Sequence, residues 1–176
     1  MRCLLINVFA LLLFVCAPVM ALNSDRQQSI YIESDELEVD DLRGVSEYRG
    51  SVSFSQGSIQ LEADKVLVFG SKQQLDKVIA HGGPVYLSQT MEADKGVMRA
   101  VARTIEYLAS KNSLFLQGDA KLWQGGNEFR GEKITYHLKN ETVVASGGEK
   151  QDSRVHIVIQ PKEGASELKD KGAVRP

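Results

Sequence analysis

The stretch Ile30-Tyr31-Ile32-Glu33-Ser34-Asp35-Glu36-Leu37-Glu38-Val39-Asp40 places apolar side chains at 30, 32, 37 and 39 among acidic and hydroxyl residues. Two short runs of period two are separated by the small polar pair Ser34-Asp35. Period two is the signature of a strand with one face buried and one in water. The interruption shifts the alternation by one residue, as a corner or a bulge does.

The corner recurs along the chain. A small residue, a charged residue, any residue and then two apolar residues one position apart appear as Ser34-Asp35-Glu36-Leu37-Glu38-Val39 and Ala63-Asp64-Lys65-Val66-Leu67-Val68. The same order returns as Ala102-Arg103-Thr104-Ile105-Glu106-Tyr107 and Gly131-Glu132-Lys133-Ile134-Thr135-Tyr136, at successive offsets of 29, 39 and 29 residues. A companion pattern begins with glycine: Gly50-Ser51-Val52-Ser53-Phe54, Gly83-Pro84-Val85-Tyr86-Leu87 and Gly118-Asp119-Ala120-Lys121-Leu122. A repeat of roughly 30 residues implies stacked supersecondary units and argues against an enzyme built on one unique centre.

Outward from this pattern the chain divides simply. Residues 1–21, with Arg2 followed by the apolar run Leu4 to Val15 and then Val19-Met20-Ala21, read as a secretory signal peptide cut after Ala21. An uncleaved anchor and a lipoprotein on Cys16 are the alternatives. Both cysteines, Cys3 and Cys16, fall in this leader, so the mature chain has neither a disulfide nor a thiolate nucleophile. Residues 22–29 read as a flexible lead-in, 30–160 as one all-β domain, and 161–176 as a disordered charged tail. Turns are expected at Gln56-Gly57, Lys111-Asn112-Ser113, Gln124-Gly125-Gly126-Asn127 and Lys139-Asn140-Glu141, where Gly or Asn supplies the positive φ of tight hairpins.

Composition removes several function classes. The formal charge of −2 provides no basic footprint for a nucleic acid. No phosphate-binding Gly-x-x-x-x-Gly-Lys loop and no Gly-x-Ser-x-Gly elbow is present. His81, His137 and His156 stand in separate segments without metal-ligand spacing, so no metal and no cofactor is expected. The corner acids Asp35, Asp64 and Glu132 share one place in the repeat, which makes them turn-builders that accept backbone amides, not a catalytic set. Trp123 reads as a strand residue that could also line a cavity.

The leader, the Ile30-Tyr31-Ile32-Glu33-Ser34-Asp35 opening and the segments Ala63-Asp64-Lys65-Val66 and Gly131-Glu132-Lys133-Ile134-Thr135-Tyr136 together resemble the OstA-like (LptA) family of periplasmic lipopolysaccharide-transport proteins. The resemblance spans about 29–160. It implies a twisted, semi-open β-jellyroll of many short antiparallel strands, and a non-enzymatic carrier that stacks head to tail as a bridge from inner to outer membrane. The implied partners are lipopolysaccharide through its lipid A, an LptC-like inner-membrane protein at the N-terminal edge and an LptD-like outer-membrane translocon at the C-terminal edge. An LptC-like anchored protein of the same pathway remains an alternative, as does a secreted β-repeat protein that binds only other proteins.

Joined to the alternation, the resemblance names two sets of residues. If the sheet layers splay along one side, Ile32, Val52, Phe54, Val66, Val68, Leu87, Ile105, Tyr107, Leu116 and Ile134 are the expected walls of a lipid trough. The same residues packed into a closed core are the competing expectation. The first and last strands of an unclosed stack leave backbone groups unpaired. Ile30, Tyr31 and Ile32 at the start, and Val155, Ile157 and Ile159 at the end, are therefore expected to dock neighbouring domains.

Overall fold

A computed structural model describes residues 25–71, 74–91, 96–148 and 154–160. The leader, residues 22–24 and the tail from 161 lie outside the described residues. Ten strands follow in order: β1 (Ile30–Glu33), β2 (Glu36–Asp40), β3 (Val45–Gln56), β4 (Ile59–Ser71), β5 (Gln74–Thr90), β6 (Val97–Leu108), β7 (Ser113–Gln124), β8 (Asn127–His137), β9 (Thr142–Ser146) and β10 (His156–Val158). Single 3-10 turns at Asp25–Gln27 and Ala109–Lys111 complete the described elements.

All strands belong to one antiparallel sheet in which β3 to β8 pair in chain order. Each edge is a strand in two pieces. β1 and β2 both pair with β3, along Gln56 to Ser53 and Arg49 to Val45 respectively, and β9 and β10 both pair with β8. The break between β1 and β2 is Ser34-Asp35, as the alternation requires.

The two repeated motifs lie opposite one another. Register slips where Gly50-Ser51 of β3 face the Asp64 corner of β4, and again where Gly82-Gly83-Pro84 of β5 lie between the corners of β4 and β6. It slips once more where Gly118-Asp119 of β7 lie between the Arg103 corner of β6 and the Glu132 corner of β8. Positive φ at Gly50 (76°), Ser51 (45°), Gly118 (83°) and Asp119 (49°) marks two of these bulges. The bulges therefore form one line across the sheet, and each long strand bends at it. Two arms result, here named for their edge strands: the β1 arm carries the 52–63, 85–102 and 120–131 portions with β10, and the β2 arm carries the remainder with β9.

Side chains fix the bend. Asp64 Oδ2 accepts from the Gly83 N–H at 3.0 Å, the amide-accepting role expected of a corner acid. Asp35 uses its own N–H, which donates to the Arg49 and Gly50 carbonyls at 3.1 Å, while its carboxylate lies over Gly50. At the third corner Arg103 Nε donates to Asp119 Oδ2 at 3.0 Å, so an ion pair replaces the amide contact there.

The arms close on a single core. Val52, Val85, Met98, Ala100, Leu122 and others from the β1 arm meet Val66, Ala80, Ile105, Leu116, Ile134 and Tyr136 from the β2 arm. The result is a sandwich made by folding one sheet, the semi-open jellyroll form in which both inner faces contribute alternate residues. On the outer surface Arg49 fans onto Glu47, Glu38 and Glu36, an exposed ladder that contributes little to stability.

Candidate functional site

Along the side opposite the bend line the arms separate, and a trough of about 1190 Å³ runs between their hairpin ends. The β1 arm supplies Phe54, Ile59, Leu61, Leu87 and Met91, and the β2 arm supplies Leu75, Val78, Ile105, Tyr107, Leu114 and Leu138. The walls are thus aliphatic and aromatic and belong to the same alternating series that builds the core. Polar residues occupy the rim: Asp25, Gln56, Ser58 and Gln89 on one side, Gln74, Asp76, Asn112 and Glu141 on the other.

The expected wall residues separate into trough-lining and core positions. Phe54, Leu87, Ile105 and Tyr107 line the trough. Val52, Val66, Leu116 and Ile134 do not, being 0–1 % exposed inside the packed core. Ile32 and Val68 are half-buried against that core. The facing arm packs onto the buried group and stands off from the lining group, and sequence distance from the bend does not alone decide which. Ile105, two positions from the Arg103 corner, lines the trough, whereas Tyr136, four positions from the Glu132 corner, is buried and does not. Ile59, Leu61, Leu75, Val78, Met91, Leu108, Leu114 and Leu138 were not named as walls, and their signal was proximity to a hairpin turn.

Three inward positions at strand ends break the apolar series with glutamine. Val52-Phe54-Gln56, Val85-Leu87-Gln89 and Ala120-Leu122-Gln124 run inward on alternate strands, and each glutamine amide is held. Gln56 Nε2 donates to the Gln28 carbonyl at 3.1 Å, Gln89 Nε2 to Asp25 Oδ2 at 2.9 Å, and Gln124 Nε2 to Tyr136 Oη at 2.7 Å. Asp25 also accepts from the Ser58 N–H and hydroxyl, both at 2.8 Å. Burial acts to raise the Asp25 carboxyl pKa, but the Ser58 and Gln89 donors together outweigh it and hold the pKa below the ordinary value. Within the 22–29 lead-in, these contacts are made by Asp25 and Gln28.

The expected docking residues sit at the sheet edges. Tyr31 is 68 % exposed and Ile159 72 % exposed; Ile30 and Ile157 are also exposed, whereas Ile32 and Val155 are partly covered. Among the described residues β1 pairs only with β3 and β10 only with β8, so the outer backbone of each is open to a further strand. His81 and His137 are engaged by Thr104 and Ser113, and among the described residues no group of His, Cys, Asp or Glu could hold a metal ion. Trp123 pairs between Arg99 and Glu128 and is not among the residues lining the trough.

Comparison with known proteins gives a consistent answer. A model of the LptA/(LptD N-terminal domain) LPS transport proteins matches residues 31–142. The lipopolysaccharide export system protein LptH of Pseudomonas aeruginosa is 39 % identical over 152 residues, covering 83 % of this chain and 87 % of the relative. LptA of Escherichia coli K12 is 33 % identical over 162 residues, covering 91 % and 84 %. The crystal structure of LptH, described as the LptA-homologous periplasmic component of the lipopolysaccharide transport device of P. aeruginosa, superposes with a TM-score of 0.70 at 35 % identity, over 78 % of this chain and 99 % of that one. Repeat, folded sheet and these similarities agree: the chain belongs to the LptA/LptD N-terminal-domain family of lipopolysaccharide transport proteins, which are carriers and not enzymes.

Proposed function

We propose that this chain is a periplasmic carrier that holds the acyl chains of lipopolysaccharide in its trough while the sugars remain in solvent. The observation that carries this reading is the apolar-walled opening of about 1190 Å³ between the arms. Each methylene kept out of water is favoured by about 0.8 kcal/mol, so a single acyl chain of a dozen methylenes represents about 10 kcal/mol. Free diffusion of a multiply acylated lipid across an aqueous space is negligible on that scale, and a sheltered path removes the cost. The sequence holds no phosphate-binding Gly-x-x-x-x-Gly-Lys loop, and on this reading direction is imposed by the chain's neighbours.

The bridging part of the reading rests on the edges. Pairing β10 of one copy with β1 of the next extends the sheet and aligns successive bend lines, so that the troughs join end to end. An LptC-like partner docks at Ile30, Tyr31 and Ile32, and another copy or an LptD-like translocon docks at Val155, Ile157 and Ile159. The leader of residues 1–21 delivers the chain to the periplasm.

Photocrosslinking tests the trough. Photoreactive residues at Phe54, Leu87 and Tyr107 are expected to capture lipopolysaccharide, and those at the outward neighbours Ser53 and Tyr86 are not. Capture from the outward positions alone overturns the assignment.

A further inference from the structure

Four hydrogen-bond donors converge on one stretch of the trough rim. The Ser58 N–H, the Ser58 hydroxyl and the Gln89 amide all meet the Asp25 carboxylate, and beside them the Gln56 amide meets the Gln28 carbonyl. The donors belong to the β3–β4 hairpin and the end of β5. The acceptors come from a single segment, Asp25-Arg26-Gln27-Gln28, which contains no apolar residue. Its seat on the domain therefore rests on these polar contacts and not on burial.

The position of the donors is informative. Gln56 and Gln89 stand where the alternation calls for apolar side chains, at the level where hydrocarbon walls give way to water. A lipid whose chains fill the trough brings the oxygens of its acyl linkages and headgroup to that same level. Gly57, at φ +58°, leaves room for Asp25; a Cβ there would collide with the Asp25 side chain. The charged residues among the described lining are Asp25, Asp76 and Glu141, all acidic, which favours uncharged acceptor oxygens over phosphate once Asp25 has left.

We propose that Gln56, Ser58 and Gln89 form a docking point for the acceptor oxygens of an acylated amphiphile, and that Asp25–Gln28 occupies this point as an internal stand-in when the trough is empty. The proposal rests on the carrier reading above and adds its polar half. Loading exchanges one set of acceptors for another, so the donors are never left without partners during the exchange.

The test uses the mature chain and displacement of a fluorescent acyl probe by intact lipopolysaccharide. Asp25→Ala, and separately a chain beginning at Ser29, removes the stand-in and is expected to tighten binding roughly three- to tenfold. Adding Gln89→Leu or Ser58→Ala to the Asp25→Ala chain is expected to reverse that gain. Repeating the series with dephosphorylated lipid A separates the two sources of oxygen. A gain that persists assigns the docking point to acyl linkages, and one that disappears assigns it to phosphates. If the wild-type chain binds lipopolysaccharide but neither strap variant gains affinity, or the donor substitutions leave the gain intact, the docking point is wrong and the carrier reading stands. If the wild-type chain binds no acylated ligand, both are overturned.

Discussion

Gln124 on the β1 arm donates to Tyr136 Oη on the β2 arm at 2.7 Å, a hydrogen bond that ties the two arms across the interior. Tyr136 is 0 % exposed, and the trough ends beside it at Leu114 and Leu138. Burial foremost, then the charge of Glu141, pushes its phenol above the ordinary value, so the group stays a neutral hydroxyl. Tyr136→Phe keeps the ring and removes the tie. A loss of about 1–2 kcal/mol is expected, lowering the melting temperature by about 2–4 °C for each kcal/mol. Calorimetry decides this; an unchanged transition shows that the arms do not depend on the tie.

The bend line makes its own forecast. Gly50→Ala forces a side chain onto φ +76° and into the Asp35 carboxylate, whereas Gly125→Ala at φ +56° meets nothing within 4 Å. The second change carries only the backbone cost of about 1–2 kcal/mol, and the first adds a steric cost to it. Urea titration of both variants should therefore rank Gly50→Ala as the more damaging. Equal midpoints would remove the packing of Asp35 on Gly50 from the account.

Acid should release the strap. The Asp25 pKa is depressed on folding, so its contribution is present above the unfolded value and is lost as pH falls through the folded one. Facing it from the other arm, Asp76 and Glu141 also line the trough, and the described lining holds no cation to keep Asp25 in place. Exchange of the Ser58 amide, followed by NMR from neutral pH to about pH 2, is expected to rise beyond the intrinsic trend once the pH falls below the ordinary Asp value. Asp25→Asn should flatten that rise. If both proteins behave alike, Asp25 does not hold the segment.

The edges can be tested without touching the core. Ile157→Lys or Val155→Pro places a charge or a missing N–H beside β10, where the present residues are exposed or partly covered. Sedimentation should show smaller assemblies, with the circular dichroism of the domain unchanged. Wild-type assembly in both variants would move the contact elsewhere.

Much of this architecture was legible in the amino-acid order. The corner at Ser34-Asp35 and its three later versions foretold the break between β1 and β2 and the bends of β4, β6 and β8, because a register slip must be written locally as a change of phase. The glycine motifs were visible as a repeat, and only the strand register shows them to be the bulges that face the corners. The division of Val66 from Tyr107 was not legible: alternation records which face a residue takes, and not how far the opposite arm stands from it. Nor was the role of Asp25, since a polar segment without periodicity looks the same whether it hangs free or is held by a rim of donors.

Neighbour-to-neighbour pairing also bears on how the chain reaches this form. The widest strand pairing among the described residues joins Lys77 to Leu108, 31 positions on. Large β-proteins ordinarily fold slowly because distant segments must find each other before any energy is gained. Here each new strand meets a partner already in place, and assembly can advance from the first hairpin as the chain is released. The apolar faces of both arms are then exposed for the shortest time, which limits aggregation of a protein built to stay partly open.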